Sequence, residues 1–225
     1  MSESAPARQP RDQIVGAATG PEKPYPLRME GEVIAGFGRG SKDLGIPTAN
    51  LPVASESSDP TNWIHTSRSG VYFGWASIRF PPTHTDLSLP PSLPSFAQSP
   101  PLSDLKIPSY DQKSDSTWRI YPMVMSMGFN PFYKNTVRSA EVYIMNQFEK
   151  DFYGAWMRIS ILGFIRPELD YVDRESLIRD IHTDVDVALK SLGREGWWVG
   201  GEERTWLGGE GWVEKKEGIE GEKGN

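Results

Sequence analysis

The chain contains no cysteine, so disulfides and thiolate-ligated metals are excluded. Histidine is nearly as scarce. His65, His84 and His182 are the full set, and no two of them have the spacing that shares a helix face. Any metal should therefore be a hard cation held by oxygen, such as Mg²⁺, rather than one in a nitrogen and sulfur cage. Basic residues are also short, with 24 Lys and Arg against 30 Asp and Glu for a net charge of −6. Phosphate-backbone binding needs clustered cations, so nucleic acid is excluded as a partner. No apolar run approaches the roughly 20 residues that span a bilayer. The opening MSESAPARQPRDQ lacks the apolar core of a secretory signal. These absences read as a soluble, cytoplasmic protein, with organelle or membrane association left open; a monomer is the default, and the sequence does not decide the oligomeric state.

What is present is uneven along the chain. Only 37% of the 225 residues are hydrophobic, while Gly and Pro number 22 and 19, so part of the chain must lie outside a core. One domain of roughly 140 residues with polar extensions fits better than two domains. Residues 1–26 read as a flexible leader, 27–193 as the domain, and 194–225 as a Gly/Glu/Trp-rich extension whose rings either dock or stay free. Within the domain, 71–79, 119–129, 140–145 and 155–164 are rich in β-branched and aromatic residues, with alternating faces. Pro122 marks the first part of its strand as an edge or bulge. Leu177, Ile178, Ile181, Val185, Ala188, Leu189 and Leu192 form one helical stripe, capped by Asp173 and stopped by Gly193. Residues 80–117, dense in Pro, Ser and Asp, read as a dispensable disordered loop between two strands. The fold expected is mainly β: a small closed antiparallel barrel carrying a C-terminal amphipathic helix.

The densest chemistry is in GFGRGSKDLGIPTAN, residues 36–50. Gly36, Gly38 and Gly40 alternate, which lets backbone N–H groups converge on an anion, and Lys42 adds a point charge suited to phosphate. The spacing is not that of a Walker A loop, because Ser41 stands where the second glycine belongs. Taken alone, a tight turn with solvated charges explains it as well. Thr48 and Asn50 alternate, so in an extended segment their hydroxyl and amide oxygens leave the same side, as a hard cation requires. Both residue types are equally common as turn formers.

The run GFGRGSKDLGIPTANL resembles the ATP-binding signature of riboflavin kinases of the eukaryotic, fungal-like monofunctional type. The likeness continues in GVYFGWASI, in MGFNPFYKNTVRSAEVYIM, and in DFYG followed by IRPELDYVDRESLIRDI. It implies transfer of the γ-phosphate of ATP to the ribityl 5′-hydroxyl of riboflavin, giving FMN and ADP. It also implies Mg²⁺, or Zn²⁺ or another divalent ion, bound with ATP by Thr48 and Asn50. Gly36, Gly38 and Lys42 would contact the nucleotide, and Glu141 would be catalytic. A carboxylate can orient an alcohol and accept its proton, which suits that role. Where many relatives have His two residues after the glutamate, this chain has Tyr143.

Other residues carry two readings. Lys134 and Arg138 either neutralise phosphate or are solvated. Arg166 either touches the flavin or pairs with Glu168, the second being preferred. Met123, Met125 and Met127 read as core, Asp151 to Gly154 as a turn with aromatics packed on the barrel, and the histidines as surface residues. Competing functions are a flavin-binding barrel without catalysis and an interaction module working through the Trp-rich tail. With no second nucleotide block, FAD synthesis is not expected.

Overall fold

The computed structural model describes residues 11–35, 46–53, 63–97, 102–106, 117–129 and 138–208. Among these residues seven strands form one antiparallel sheet: β1 (Leu27–Glu32), β2 (Ile34–Ala35), β3 (Ala49–Leu51), β4 (Gly70–Arg79), β5 (Trp118–Phe129), β6 (Arg138–Ile144) and β7 (Trp156–Arg166), in the order β1-β7-β4-β5-β6-β3-β2. A short helix α1 (Trp63–Thr66) precedes β4, and α2 (Arg174–Leu192) and α3 (Gly201–Gly208) follow the sheet.

The sheet curls, and each long strand buries both faces because its alternate residues enter two separate cores. Met29, Tyr72, Ala76, Met123, Met125, Met127, Val142 and Ile159 fill the concave side. Val71, Phe73, Trp75, Ile120, Val124, Tyr143 and Met145 pack on the convex side under α2. This is the period-2 alternation expected of the strands, and the methionine stripe is core as expected. Pro122 pairs with Trp75 of β4, while the β5–β6 ladder begins only at Met123 and Ile144. The proline thus sits where its missing N–H leaves no ladder bond unmade.

The closed barrel is corrected to a curled half-barrel. No ladder joins the end strands β1 and β2, because they are successive parts of one stretch of chain interrupted at Val33. Val33 is tied instead to the turn before β7, donating to Ala155 O and accepting from Gly154 N, both at 2.9 Å. β1 and β2 run on end to end with only Val33 between them, too short a link for a turn that would lay them side by side.

Helix α2 forms as its pattern predicts. Asp173 accepts from Ser176 N at 2.6 Å, and Gly193 closes the helix with its N–H on Leu189 O. Val185, Ala188, Leu189 and Leu192 are fully buried against the convex face.

Two expectations about the extensions are corrected, and the alternative left open for the tail is resolved. Residues 11–26 are not a free leader: Arg11 pairs with Asp180 and Asp184 of α2, and Ala17 O accepts from the Trp197 indole at 2.9 Å. The described part of 80–117 is not structureless, since Phe80, Asp86 and Leu105 are fully buried and Leu87, Leu93 and Phe96 pack on the cores. A few apolar side chains in a polar segment suffice once a matching surface exists. Residues 194–208 of the tail dock: Trp197 stacks on Phe73 at 5.4 Å, and α3 buries Leu207. These groups cover convex surface that α2 does not. Trp212 lies outside the described residues.

Candidate active site

Strand register assembles the site. Asn50 of β3 is the Cα partner of Glu141 of β6, and Glu141 is the partner of Ser126 of β5. Ser126 faces Val71 of β4, which faces Arg166 of β7. One transverse row therefore crosses five strands, and directly paired side chains leave a sheet on the same face. That face is the convex one, because Val71 and Tyr143 belong to the convex core.

Glu141, Ser126, Val71, Arg166 and Thr48 line a cleft of about 510 Å³ between the sheet and α2. Its far wall is Leu177, Ile181 and Asp184 of α2, and its rim is Glu168 to Tyr171. The size and mostly apolar lining suit a planar organic ligand. Thr48 also borders a second, smaller cavity of about 130 Å³, enclosed by Pro47, Ala49, Ile144 and the turn Asn146 to Tyr153.

The electrostatics single out Glu141. Burial, and then the neighbouring Glu168, push its carboxyl above the usual carboxylate range. Glu168 can come close because Gly128 has no side chain: a Cβ there would lie 1.8 Å from Glu168 Oε1. Burial also raises the Tyr143 phenol, which therefore stays protonated and can donate a hydrogen bond.

Asn50 is only 5% exposed, and its Oδ1 has no hydrogen-bond partner. A buried, unsatisfied amide oxygen beside a carboxylate and a hydroxyl is a donor set for a hard cation. Among the described residues no three His, Cys, Asp or Glu cluster to hold a metal. A cation here would draw its remaining ligands from water and phosphate, as Mg²⁺ commonly does.

Arg166 is corrected in its partner. It forms a bidentate pair with Asp184 (Nε to Oδ1 2.9 Å, Nη2 to Oδ2 2.6 Å), not a contact with Glu168. Asp184 falls on the apolar stripe of α2 between Ile181 and Ala188, so helix packing turns its carboxylate towards the sheet. Arg138 is structural: buried, it donates to Ile64 O, to Ser67 O at 2.6 Å and to Ser69 Oγ at 3.0 Å. Of the turn 151–154, Phe152 packs in the concave core while Tyr153 is largely exposed. His84 is not a simple surface residue, for its ring stacks on Phe80 at 4.5 Å, and His182 stacks on Phe96 at 3.8 Å. Gly36, Gly38, Lys42 and Lys134 lie outside the described residues. The chain carrying the first three leaves after Ala35 and returns at Ile46, joining β2 to β3, whose Ala35 and Ala49 are partners.

Fold and site together define a small-molecule enzyme built on one curled antiparallel sheet, with a carboxylate and oxygen donors for a hard cation gathered at a single face. Comparison with known proteins narrows this. The riboflavin kinase (Flavokinase) family model matches residues 23–192. The chain is 47% identical over 219 residues to a riboflavin kinase of Neurospora crassa, covering 87% of this chain and 91% of that one. It is 51% identical over 187 residues to one of Pyricularia oryzae (83% and 81% covered), and 42% identical over 193 residues to one of Eremothecium gossypii (84% and 95%). The chain belongs to the riboflavin kinase family.

Proposed function

We propose that the chain transfers the terminal phosphoryl group of ATP to the 5′-hydroxyl of the ribityl chain of riboflavin, giving FMN and ADP. What carries the reading is the placement of Glu141, directly opposite Asn50 and lining the same cleft as Thr48. The isoalloxazine ring lies in the larger cleft under α2, where its faces leave water against Ile46, Val71, Val124 and Ile181. The nucleotide base takes the smaller cavity, so that the phosphates pass Thr48, which borders both. Gly36, Gly38 and Lys42 hold those phosphates from the β2–β3 connection. Residues 27–193 form the kinase domain.

Glu141 accepts a hydrogen bond from the ribityl hydroxyl and turns an oxygen lone pair towards the γ-phosphorus. As the new O–P bond forms and the bond to the β-phosphate oxygen breaks, the proton passes to the carboxylate. Phosphoryl transfer has a loose transition state, so orientation and charge neutralisation contribute more than proton removal. Thr48 Oγ1 and Asn50 Oδ1 would hold a divalent cation, Mg²⁺ by donor type, which neutralises charge on the phosphates. Family membership and the all-oxygen donor set support ATP and a divalent ion as requirements.

Incubating the purified chain with riboflavin, ATP and Mg²⁺ should yield ADP and a flavin heavier by one phosphate group. Absence of FMN across several divalent cations and pH values would overturn the proposal.

A further inference from the structure

The segment after β4 lines neither cavity, yet its hydrogen bonds converge on one of them. Ser92 N donates to Asn146 Oδ1 at 2.7 Å, and Ser92 O accepts from Gln147 N at 2.9 Å. Leu93 O accepts from Gln147 Nε2 at 3.2 Å, and Asp86 Oδ1 accepts from Glu149 N at 3.4 Å. Asn146 and Glu149 are walls of the smaller cavity. Phe80, at the start of the segment, packs on Phe148 and Phe152 of the same wall at 6.2 and 5.8 Å.

Asp86 is 2% exposed and sits in a one-turn helix, Thr85–Leu87. That turn is capped by His84, whose Nδ1 accepts from Asp86 N at 3.3 Å and whose ring is stacked on Phe80. A buried carboxylate held this way is a fixed acceptor. The turn 146–149 itself has little regular structure, since β6 ends at Ile144.

From this arrangement we infer that residues 80–97 are a positioning brace for the nucleotide side of the site. Asp86 and Ser92 hold the turn 146–149 in the shape that accepts the nucleotide, without touching it. The inference rests on the assignment of the smaller cavity to ATP. Preorganising a binding wall raises affinity by removing the ordering it would otherwise need on binding. Loosening the brace should therefore act on ATP and leave riboflavin alone.

The test compares Asp86→Ala, Asp86→Asn and Ser92→Pro with the parent chain. Asp86→Ala should raise the KM for ATP by about tenfold, with kcat and the KM for riboflavin within about twofold. Asp86→Asn keeps an acceptor oxygen and should restore the parent value. Ser92→Pro removes the N–H given to Asn146 at an exposed position within a proline-rich run, so it stays informative if Asp86→Ala fails to fold. Calorimetric binding of ADP with Mg²⁺ to the same proteins gives a readout that needs no turnover. If the parent makes no FMN but binds ADP, and the variants weaken that binding, the brace stands while the proposed reaction falls. An unchanged response to ATP and ADP in folded Ser92→Pro and Asp86→Ala overturns the brace. So does an equal rise in the riboflavin KM, or a parent that binds no ADP.

Discussion

Glu141 and Asn50 face each other directly across the β6–β3 ladder, about 90 residues apart in sequence but on one face of the sheet. An acceptor for an alcohol proton thus sits beside an unsatisfied amide oxygen suited to a cation. Neither strand could supply both.

Glu141→Gln should lower kcat by at least about a hundredfold while riboflavin and ATP still bind. It should not lower the thermal midpoint at pH 7 to 8. Burial and Glu168 raise the folded-state pKa of Glu141 above its ordinary 4.5, so the folded chain disfavours the ionised form. The stability contributed by this group is complete below 4.5 and is lost as pH rises through the raised value. A neutral Gln removes that loss, so the variant should equal or exceed the parent in melting scans near neutrality. A lower midpoint there would show that the carboxylate has a stabilising partner.

The same linkage sets a pH profile. In the proposed mechanism the ionised Glu141 accepts the proton, so the acid limb of kcat should lie above pH 4.5. Glu168→Gln removes the like charge that contributes to the shift, and the limb should move to lower pH. A limb that stays in place, or moves up, would show that Glu168 does not act on Glu141.

Asn50→Ala and Thr48→Val each remove one oxygen from the proposed donor set. Either should raise the Mg²⁺ concentration needed for half-maximal rate by at least about tenfold. Riboflavin binding, followed by quenching of flavin fluorescence, should change little. Metal titrations superimposable on the parent's would exclude these residues as ligands.

Arg138→Met tests a structural assignment. The substitution leaves Ile64 O, Ser67 O and the Ser69 hydroxyl without their donor. Stability should fall by about 2–4 kcal/mol in denaturant titrations. The KM for ATP of the folded fraction should stay near the parent's, whereas a phosphate-neutralising residue would raise it.

Removing residues 1–20 should lower the melting temperature, because residues 11–17 are docked. The deletion takes Arg11 from Asp180 and Asp184, and Ala17 O from the Trp197 indole. It also strips Val15, Gly16 and Ala17 carbonyls from Arg194. A loss of about 2–3 kcal/mol is expected from groups of this kind. An unchanged midpoint would mean the segment is held only loosely.

Much of this was legible before any coordinates. Val71, Phe73 and Trp75 alternate with Tyr72, Ala76 and Ile78, and the structure sends the two sets into different cores. Asp173, Gly193 and the stripe between them are the local signals of a helix. Thr48 and Asn50 could be read as a pair from their spacing. The short strands β1, β2 and β3 were not legible, since two to six residues carry too little periodicity. Nor was the partner of Arg166, because Asp184 lies on a separate element and only helix packing brings it within 2.6 Å.

The amino-acid order by itself determined the strand faces, the α2 stripe and the family. Each of these depends on residue type and on separations of a few positions, which the backbone period converts directly into a face. Tertiary structure alone decided that the sheet is left open between β1 and β2, and that the described parts of leader, insertion and tail pack on it. It also decided that a carboxylate, a hydroxyl and an amide share one face. Those outcomes depend on register between distant segments, where one residue of slip would turn every side chain to the opposite face.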